Sequence, residues 1–426
     1  MRASLRQLTR RGRLLLAFGL AGLLVSAMLG QRDLMRVGVL LVTLPLLSAL
    51  LVARTRYKLS SARGLRPTRV TVDQATTSVV RIENVSRLPS GLLLVEDAVP
   101  WQLGRAQRFV LDRLEAGGRR DVRYEVRGGL RGRYTVGPVS VQLVDPFGLC
   151  RATRQFTTTD SLTVVPAIVT LPGIALGGDW SGLGEARARA VSSAGEDDVI
   201  PREYRTGDEL RRVHWKSTAR SGELMVRREE QPWRTRATVF LDTRAVAHRG
   251  HGAGSSFEWA VSAAASAACH LARRGYAVRI VNSDGAWLRP GPMTADGLSG
   301  PEAEGPILDT FALVTTTEGA VPKVKDAAGK SRVRDGLLVA VLGDLDGVHG
   351  AAVAALRHGH ASALGLVLDT YSWGGRATDA EHARAQHTTA VLTAAGWRVA
   401  PCDSRTDLPD AWRSLGRSGA ATGTAR

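Results

Sequence analysis

Two long apolar runs near the amino terminus constrain the fold more than any other feature of this 426-residue sequence. Leu14 to Gly30 and Leu34 to Ala53 are almost free of charge, and each run is about as long as a helix that crosses a bilayer. Only Gln31 to Asp33 separates them, and no small-residue cleavage site precedes a mature sequence, which disfavours a cleaved signal peptide. The sequence therefore predicts a transmembrane helical hairpin over residues 14–56, after a basic tail over residues 1–13.

The arginines beside these runs predict the orientation of the hairpin. Basic residues are concentrated before the first run and after the second, whereas the connecting region has only Arg32 and Arg36. Because the loops on the cytoplasmic side carry the excess of Lys and Arg, both termini and the main body are expected in the cytoplasm. The chain is then a multi-pass protein of the cell membrane, and the lipid bilayer is its first predicted partner.

The composition leaves the reason for the basic excess open. A net charge of +17 is typical of proteins that bind nucleic acid or an anionic membrane surface, and it also arises from an arginine-favouring genome. The basic residues are spread through all regions and no recognition motif occurs, so no specific nucleic acid is predicted as a partner. Cys150, Cys269 and Cys402 are far apart, which argues against disulfides and zinc sites and fits a reducing compartment.

The region from residue 66 to residue 166 has the pattern of a β-sandwich. Short alternating or β-branched runs such as Val79 to Ile82 and Val122 to Val126 recur there, and turn residues separate them. Their spacing, without helical periods, predicts an immunoglobulin-like domain in which Gly137-Pro138 and Asp145-Pro146 turns close a hairpin. Residues 167–199 are rich in Gly, Ser, Ala and charge and are expected to form a linker.

The last half of the chain alternates strand and helix patterns. Apolar runs such as Ala237 to Leu241 and Leu337 to Leu342 are followed by segments with helical spacing, of which Ser256 to Arg274 is the longest. This alternation predicts an α/β domain with a mainly parallel sheet over residues 233–415, and a disordered tail over residues 416–426. Ligands of such sheets lie outside the carboxyl ends of the strands, where the candidate oxygen ligands for Mg²⁺ are Asp242, Asp344, Asp346 and Asp369. The alternative is that these aspartates cap helices or turns.

Residues 200–232, which we call the signature segment, combine charge, aromatic surface and turn residues more densely than any other stretch. Gly207 and Asp208 form a turn signal, and Asp208 is suited to cap a helix that ends at Gly222. Leu224 and Val226 then alternate with polar neighbours, which is typical of a half-buried strand. The segment is therefore expected to form a turn, a short helix and a strand.

The signature segment resembles the core motif of the bacterial family known as domain of unknown function 58, or DUF58. The matching residues are Arg202, Tyr204, Gly207, Asp208, Arg211, Val213, Trp215, Thr218, Ala219, Arg220, Leu224, Val226 and Glu230, where Val213 replaces the commoner Ile. The run from Arg127 to Leu149 resembles a second hallmark of the family, with Arg-Gly, Tyr, Gly-Pro and Asp-Pro-Phe-Gly in order. The resemblance implies a von Willebrand factor A-like fold for the α/β domain. It also implies a MoxR-type AAA+ ATPase and a transglutaminase-like membrane protein as partners in a cell-envelope or stress-related system.

The metal motif of the related fold is degenerate in this chain. That motif requires Asp, any, Ser, any, Ser, whereas Asp242 is followed by Thr243 and then by Arg244. A fixed cation beside the site would repel a divalent ion, so Asp242 and Asp344 remain weak metal candidates and no cofactor is predicted. His248 and His251 have a surface-loop spacing without a partnering Cys or Glu pattern.

Three interpretations of the signature segment remain open. Its candidate binding or structural residues are Arg202, Glu203, Tyr204, Gly207, Asp208, Arg211, Trp215, Lys216, Arg220 and Glu230. They could present guanidinium groups to an anion, form an internal ion-pair network, or form a docking surface in which Trp and Arg contribute most of the binding energy. No nucleophile or acid–base pair stands out, so no catalytic residue is predicted and an adaptor or scaffold is favoured over an enzyme. The alternative is a hydrolase or nucleotide-dependent enzyme with its site at the strand ends.

Overall fold

The structure is a computed structural model that divides into two compact units, Met1–Val165 and Pro166–Arg426. We call them the β unit and the α/β unit. The residues that the structure describes are 8–54, 59–87, 89–144, 147–174, 201–203, 215–227, 236–288, 297–319, 336–357, 362–375 and 378–417.

The β unit begins with two helices, α1 (Arg10–Leu29) and α2 (Arg32–Arg54). Both helices are long and apolar enough to cross a membrane by length and composition. They pack on each other at Gly19 and Gly38, where an added Cβ would lie 3.0 Å or less from atoms of the opposite helix. Large apolar side chains such as Phe18 and Leu24 point away from the contact and are exposed. The two predicted apolar helices are thus confirmed as candidate membrane spans.

Ten strands follow the hairpin in three sheets. They are β1 (Leu59–Arg66), β2 (Arg69–Thr71), β3 (Ala75–Asn84), β4 (Leu93–Asp97), β5 (Gln107–Leu111), β6 (Arg119–Arg127), β7 (Gly132–Val136), β8 (Val139–Val144), β9 (Arg151–Gln155) and β10 (Asp160–Val165). The strand orders are β1-β3-β6, β2-β10-β7 and β5-β4-β8-β9, and every pair is antiparallel except the parallel pair of β2 and β10.

Side chains from all three sheets share one core. Burial alternates along β3, as expected of a strand with one face covered, and Ile82 is its largest buried residue. Leu93 of β4 and Leu162 of β10 lie in the same apolar cluster and are also fully buried. Burying each such side chain contributes about 1.5–3 kcal/mol, so the shared core accounts for the association of the sheets.

A buried ion pair lies inside the β unit. The Arg63 Nε donates to Asp97 Oδ2 at 3.1 Å, and its two Nη atoms donate to Asp97 Oδ1 and to the carbonyl oxygen of Val136. The Tyr124 hydroxyl donates to Asp97 Oδ2 at 2.6 Å. Neither charged side chain is more than 1% exposed, so the carboxylate depends on these partners for its solvation.

The role predicted for Gly137-Pro138 is wrong. This dipeptide was expected to close a hairpin, but β7 before it pairs with β10, whereas β8 after it pairs with β4 and β9. Gly137-Pro138 therefore carries the chain from one sheet to another. The hairpin in this region is formed by β8 and β9, whose connection includes Asp145 and Pro146 outside the described residues.

The α/β unit alternates strands and helices, as predicted. Its elements are β11 (Pro201–Glu203), α3 (Trp215–Ser221), β12 (Met225–Arg227), β13 (Arg236–Leu241), α4 (Ser256–Arg273), β14 (Ala277–Asn282), β15 (Trp287–Leu288), α5 (Glu304–Leu313), β16 (Gly336–Leu342), α6 (Gly347–Ala354), β17 (Ser362–Leu368), α7 (Asp379–Ala394), β18 (Arg398–Cys402) and α8 (Leu408–Arg417). The main sheet has the order β15-β14-β13-β16-β17-β18 and is parallel except at the edge strand β15.

The main sheet is covered on both faces. On one face Phe240 and Leu338 pack with Val353 of α6 and Leu392 of α7. Helix α4 packs against β13, β14 and β16 on the other side of the strands, and its Ser255 cap accepts a hydrogen bond from Glu258 N at 3.2 Å. Burial on both faces explains why these strands are continuous apolar runs without alternation.

The first residues of the α/β unit form an extended strap against helices α4 and α8. Val169 N donates to Ser266 Oγ on α4 at 3.0 Å, and the indole Nε1 of Trp412 on α8 donates to Pro172 O at 3.1 Å. Trp412 is fully buried and lies edge-on to His270, with 5.7 Å between the ring centroids. This strap covers residues 166–174, and the rest of the predicted linker lies outside the described residues.

Candidate functional site

The carboxyl ends of β13, β16 and β17 lie side by side at one edge of the main sheet, where the sequence places its aspartates. Asp242 follows β13, Asp344 follows β16 and Asp369 follows β17. Asp346 is separate from this group, because its carboxylate caps α6 and accepts from His349 N at 2.8 Å. That hydrogen bond is the main reason why the pKa of Asp346 lies below its usual value.

Arg244 fills the space beside Asp242. Its Nε donates to Asp242 Oδ1 at 2.9 Å and its Nη2 donates to Asp242 Oδ2 at 2.7 Å. The same Nη2 donates to the carbonyl oxygen of Asp344 at 2.9 Å. Asp242 is 1% exposed and Arg244 is 3% exposed, so this bidentate pair is buried at the sheet edge.

Backbone donors complete the environment of the Asp242 carboxylate. Arg244 N lies 3.2 Å from Oδ1, and Gly343 N lies 3.3 Å from Oδ2. Together with the guanidinium, they give each carboxylate oxygen two hydrogen-bond donors. The pair is therefore self-contained, and its positive charge lies where a bound cation would need negative ligands.

The residues at this edge do not suit the divalent ion of the related fold. The hydroxyls of Thr243 and Ser283 lie 2.7 Å apart, and Thr317 Oγ1 lies 3.3 Å from Thr243 Oγ1, so these groups bind one another. Within the described ranges, no group of three or more His, Cys, Asp or Glu side chains converges. We derive no chemistry through a metal at Asp242 and Asp344.

A second layer of side chains surrounds Asp344. The Tyr371 hydroxyl donates to Asp344 Oδ2 at 2.7 Å, and Arg384 Nη1 donates to the Tyr371 oxygen at 3.1 Å. The Arg249 guanidinium lies over the Tyr371 ring, 4.2 Å from its centroid. Burial, followed by the hydrogen bond to Asp344, raises the pKa of Tyr371, so its hydroxyl remains a donor at neutral pH.

Two histidines at this edge have specific partners. His248 Nε2 donates to the carbonyl oxygen of Asp242 at 2.8 Å, and its Nδ1 accepts from Ser256 Oγ at 3.2 Å. Burial lowers the pKa of His248, which favours this neutral state. His382 Nδ1 is hydrogen-bonded to Asp369 Oδ2, and the histidine side chain is 46% exposed.

His248 is a site residue that the sequence argument placed in a surface loop. The signal that could have found it is its position six residues after Asp242, within the first turn of chain beyond a buried strand. His382 and Tyr371 gave no signal at all, because residues from separate elements meet there only through the fold.

The signature segment is described in part. β11 pairs with β12, which sets Arg202 opposite Val226 and joins the two ends of the segment. Tyr204, Gly207, Asp208, Arg211 and Glu230 lie outside the described residues, as do the side chains of Arg202, Glu203 and Lys216.

The predicted helix of the signature segment is present as α3, which ends before Gly222 with φ of +77°, as expected of a glycine stop. The Thr218 hydroxyl accepts from Met225 N at 3.0 Å and ties α3 to β12. Arg220 is exposed, and Trp215 at the start of α3 is 71% exposed. The described part of the segment therefore places its aromatic residue on the surface.

Comparison with known proteins identifies one family. Residues 201–299 match the model of a family described as "Protein of unknown function DUF58", which supports the resemblance of the signature segment to that family. The matched region lies within the α/β unit, begins at β11 and includes Asp242 and Arg244. No curated protein matches this chain.

Several solved structures match part of the chain. The CARDB domain of a Pyrococcus furiosus protein, in complex with di-metal ions, has 11% identity, covers 25% of this chain and 93% of its own and gives a TM-score of 0.19. The putative ApaA protein from Bordetella pertussis has 14% identity, covers 25% and 94% of the two chains and gives 0.20. The alkylpurine DNA glycosylase AlkC from Pseudomonas fluorescens has 16% identity, covers 32% and 39% and gives 0.18. At such TM-scores these similarities carry no argument.

Proposed function

We propose that this protein is a membrane-anchored adaptor or scaffold that binds another protein through its signature segment. The α1–α2 hairpin would be the anchor, and the α/β unit would present the segment in the cytoplasm. In this proposal the β unit is an immunoglobulin-like sandwich and the α/β unit is von Willebrand factor A-like. The mainly parallel order of the main sheet, and the mostly antiparallel strands that share one core in the β unit, support these assignments.

The exposure of Trp215 is the observation that carries the proposal. An indole ring that is 71% exposed leaves a large apolar surface in water, and burial of that surface against a partner is favourable. Trp residues are also enriched among the residues that contribute most to binding energy at protein interfaces. Exposure favours the docking interpretation of the segment over an internal network centred on this residue.

The strand ends support a binding role in a different way. Arg244 and Asp242 satisfy each other there, and Tyr371 with Arg384 and Arg249 covers Asp344. Groups that are already paired in the resting protein must break those pairs before they can act on a substrate.

The family resemblance suggests the class of partner. A MoxR-type AAA+ ATPase is the proposed primary partner, and a transglutaminase-like membrane protein is a proposed second one. Trp215 would enter an apolar pocket of the ATPase, and the surrounding arginines would face acidic residues on its surface.

Affinity capture tests this proposal with a matched control. The full chain would be captured from membranes as the unchanged protein, as Trp215→Ala and as Trp101→Ala, because Trp101 is a second highly exposed tryptophan at 79%. We expect AAA+ ATPase peptides with the unchanged protein and with Trp101→Ala, and a loss of at least about tenfold with Trp215→Ala. Equal recovery in all three samples would contradict docking through the signature segment.

The orientation of the hairpin is tested separately. A reporter fused at Arg426 is expected to be active only in its cytoplasmic form, since the basic residues flank both outer ends of the hairpin. A periplasmic-type signal at the same position would reverse the topology.

The pair of Asp369 and His382 favours a second candidate function, a hydrolase or nucleotide-dependent enzyme. A carboxylate that orients a solvent-accessible imidazole is a common arrangement for a general base. Turnover of phosphoesters or nucleotides by the purified protein that disappears in His382→Gln would support this alternative. Turnover that persists in His382→Gln would contradict the role of this pair as the general base.

A further inference from the structure

Residues 147–150, which are the described part of the connection between β8 and β9, are attached to the start of the first apolar helix. We call these four residues the β8–β9 turn. Thr9, the N-cap of α1, donates from its backbone N to Leu149 O at 2.9 Å and from its hydroxyl to Gly148 O at 2.8 Å. Leu8 forms an isolated bridge with Cys150 and is buried. The helix and the turn are therefore held together by a backbone hydrogen bond and by the hydroxyl of the N-cap residue.

Close packing strengthens this attachment. Gly12 is buried against the turn, and a Cβ added there would collide with the carbonyl oxygen of Leu149. Ala49, near the end of α2, packs in one small buried cluster with Cys150 and Ala152. Both helices thus contact the same turn, on the side of the hairpin where α1 begins and α2 ends.

These contacts fix the depth of the turn relative to the apolar run of α1. The run begins at Leu14, and Gly12 precedes it by two residues, which is about 3 Å along a helix axis. The headgroup layer on each side of a bilayer is roughly 5–8 Å thick. If Leu14 marks the hydrocarbon boundary, residues 147–150 lie within the headgroup layer.

The exposed side chains of this region suit that layer. Phe147 is 60% exposed at the turn. Arg10, Arg11 and Arg13 at the start of α1 and Arg151 at the start of β9 are exposed as well. An apolar ring beside arginines is the combination that interfacial segments use, because the ring enters the acyl boundary and the cations face lipid phosphates.

We propose that the β8–β9 turn is a membrane-contacting element, in which Phe147 inserts into the headgroup layer of the bilayer that holds the hairpin. The inference rests on the proposed membrane anchoring and adds a second, peripheral contact to it. The turn would prevent the β unit from swinging freely on its hairpin, because a third point of attachment is added to the two helices.

Nitroxide labels on the full chain in vesicles of phosphatidylcholine and phosphatidylglycerol test the proposal. The test position is Phe147→Cys, and the three native cysteines are buried, so they are poor sites for labelling. Trp101→Cys is the matched control, because Trp101 is an exposed aromatic residue that follows β4 at the opposite end of the same sheet. Leu20→Cys, in the middle of α1, reports whether the helix is inside the bilayer.

A label at 147 in the headgroup layer should be at least about threefold less accessible to a water-soluble nickel reagent than a label at 101, and more accessible to oxygen. Equal nickel accessibility at 147 and 101 would overturn the inference. Low accessibility to both reagents at 147 would also overturn it, because a protein surface and not lipid would then cover the turn. If the nickel reagent does not reach the label at 20 in either of these two outcomes, the membrane anchoring stands and only the contact of the turn is refuted. Free access of nickel to the label at 20 would refute both.

Discussion

The two units each contain a buried Arg–Asp pair, and the pairs are built differently. In the β unit Arg63 and Asp97 come from separate strands, and a tyrosine and a backbone carbonyl complete the cluster. In the α/β unit Asp242 and Arg244 are two residues apart, and backbone N–H groups of Arg244 and Gly343 support the carboxylate. The first pair ties β1 to β4 across the core, whereas the second occupies the edge at which an α/β sheet binds its ligands.

This difference distinguishes a structural cluster from a closed site. A long-range pair contributes to the fold by fixing which strands meet, and it has little freedom to serve another purpose. The local pair at the sheet edge reaches only the residues that follow the neighbouring strand β16, through Asp344 O and Gly343 N. At Asp242 it places a guanidinium where a bound cation would need negative ligands.

The largest effect is expected for Arg63→Met. Asp97 would remain buried with only the Tyr124 hydroxyl as a described donor, so protection against amide hydrogen exchange in β3 and β6 should fall by about 3–5 kcal/mol. Arg81→Met on β3 is the control, because its pair with Asp121 is solvent-exposed and its loss should leave protection unchanged. Equal effects of the two substitutions would refute the structural role of Arg63.

A smaller effect is expected for Arg244→Met. The two backbone N–H groups would still donate to Asp242, so protection of β13 and β16 should fall by about 2–3 kcal/mol. Hydrogen exchange of the full chain in detergent measures both pairs in one experiment. A larger loss of protection in Arg244→Met than in Arg63→Met would contradict the expected order of the two effects.

Acid should lower the stability of the α/β unit and leave that of the β unit unchanged. All nine histidines of the sequence follow residue 166, and burial, with the nearby Arg274 and Arg273, lowers the pKa of His270 to about 4. The unfolded chain binds a proton at His270 near pH 6.5, so the stability that the neutral ring contributes is present above pH 6.5 and is lost as the pH falls towards 4.

Because the His270 ring is partly accessible to solvent, we expect a loss of about 1–2 kcal/mol in the protection of α4 over this range. His270→Gln should reduce this loss, while Arg63 and its neighbours keep their protection. Parallel acid sensitivity of the β unit between pH 6.5 and 5 would contradict the assignment, since that unit contains no histidine.

The smallest effect is expected at the surface of the α/β unit. Arg273 and Glu304 pair at 2.7 Å, but their side chains are 42% and 34% exposed, so Glu304→Gln should cost about 0.2–1 kcal/mol in thermal or denaturant unfolding. If Glu304→Gln lowers the free energy of unfolding as much as Arg244→Met does, burial does not explain the difference between the exposed pair and the buried pair.

Sequence patterns predicted the elements that bury a regular face. The runs around Val79 and Ala237 became β3 and β13 because β-branched and apolar residues mark such strands unambiguously. β9 was not predicted, since Arg151–Gln155 is mostly exposed and has only one small apolar residue. α8 was also not predicted, although Trp412 and Leu415 are fully buried, because only one short stretch of ten residues carries its pattern.

The sequence predicted some of the residues that lie at the candidate site, but it did not predict the side-chain contacts between separate elements. The parallel sheet follows from the alternation of helices and strands, and Arg244 was expected beside Asp242 because the two are close in the sequence. The contacts of Asp344 with Tyr371 and of Asp369 with His382 join separate elements, and no local pattern encodes them. The same reason explains the error at Gly137-Pro138, where the turn chemistry was right but the strand partners were set by the whole unit.

The bond from Trp412 to Pro172 joins residues that are 240 positions apart in the chain. The strap at residues 166–174 is therefore synthesised well before the helix that secures it, Leu408–Arg417. At 5–20 residues per second, the strap waits roughly 10–50 s for its partner. During synthesis, the part of α4 around His270, which Trp412 contacts in the folded unit, therefore stays uncovered by α8 until that helix has been made.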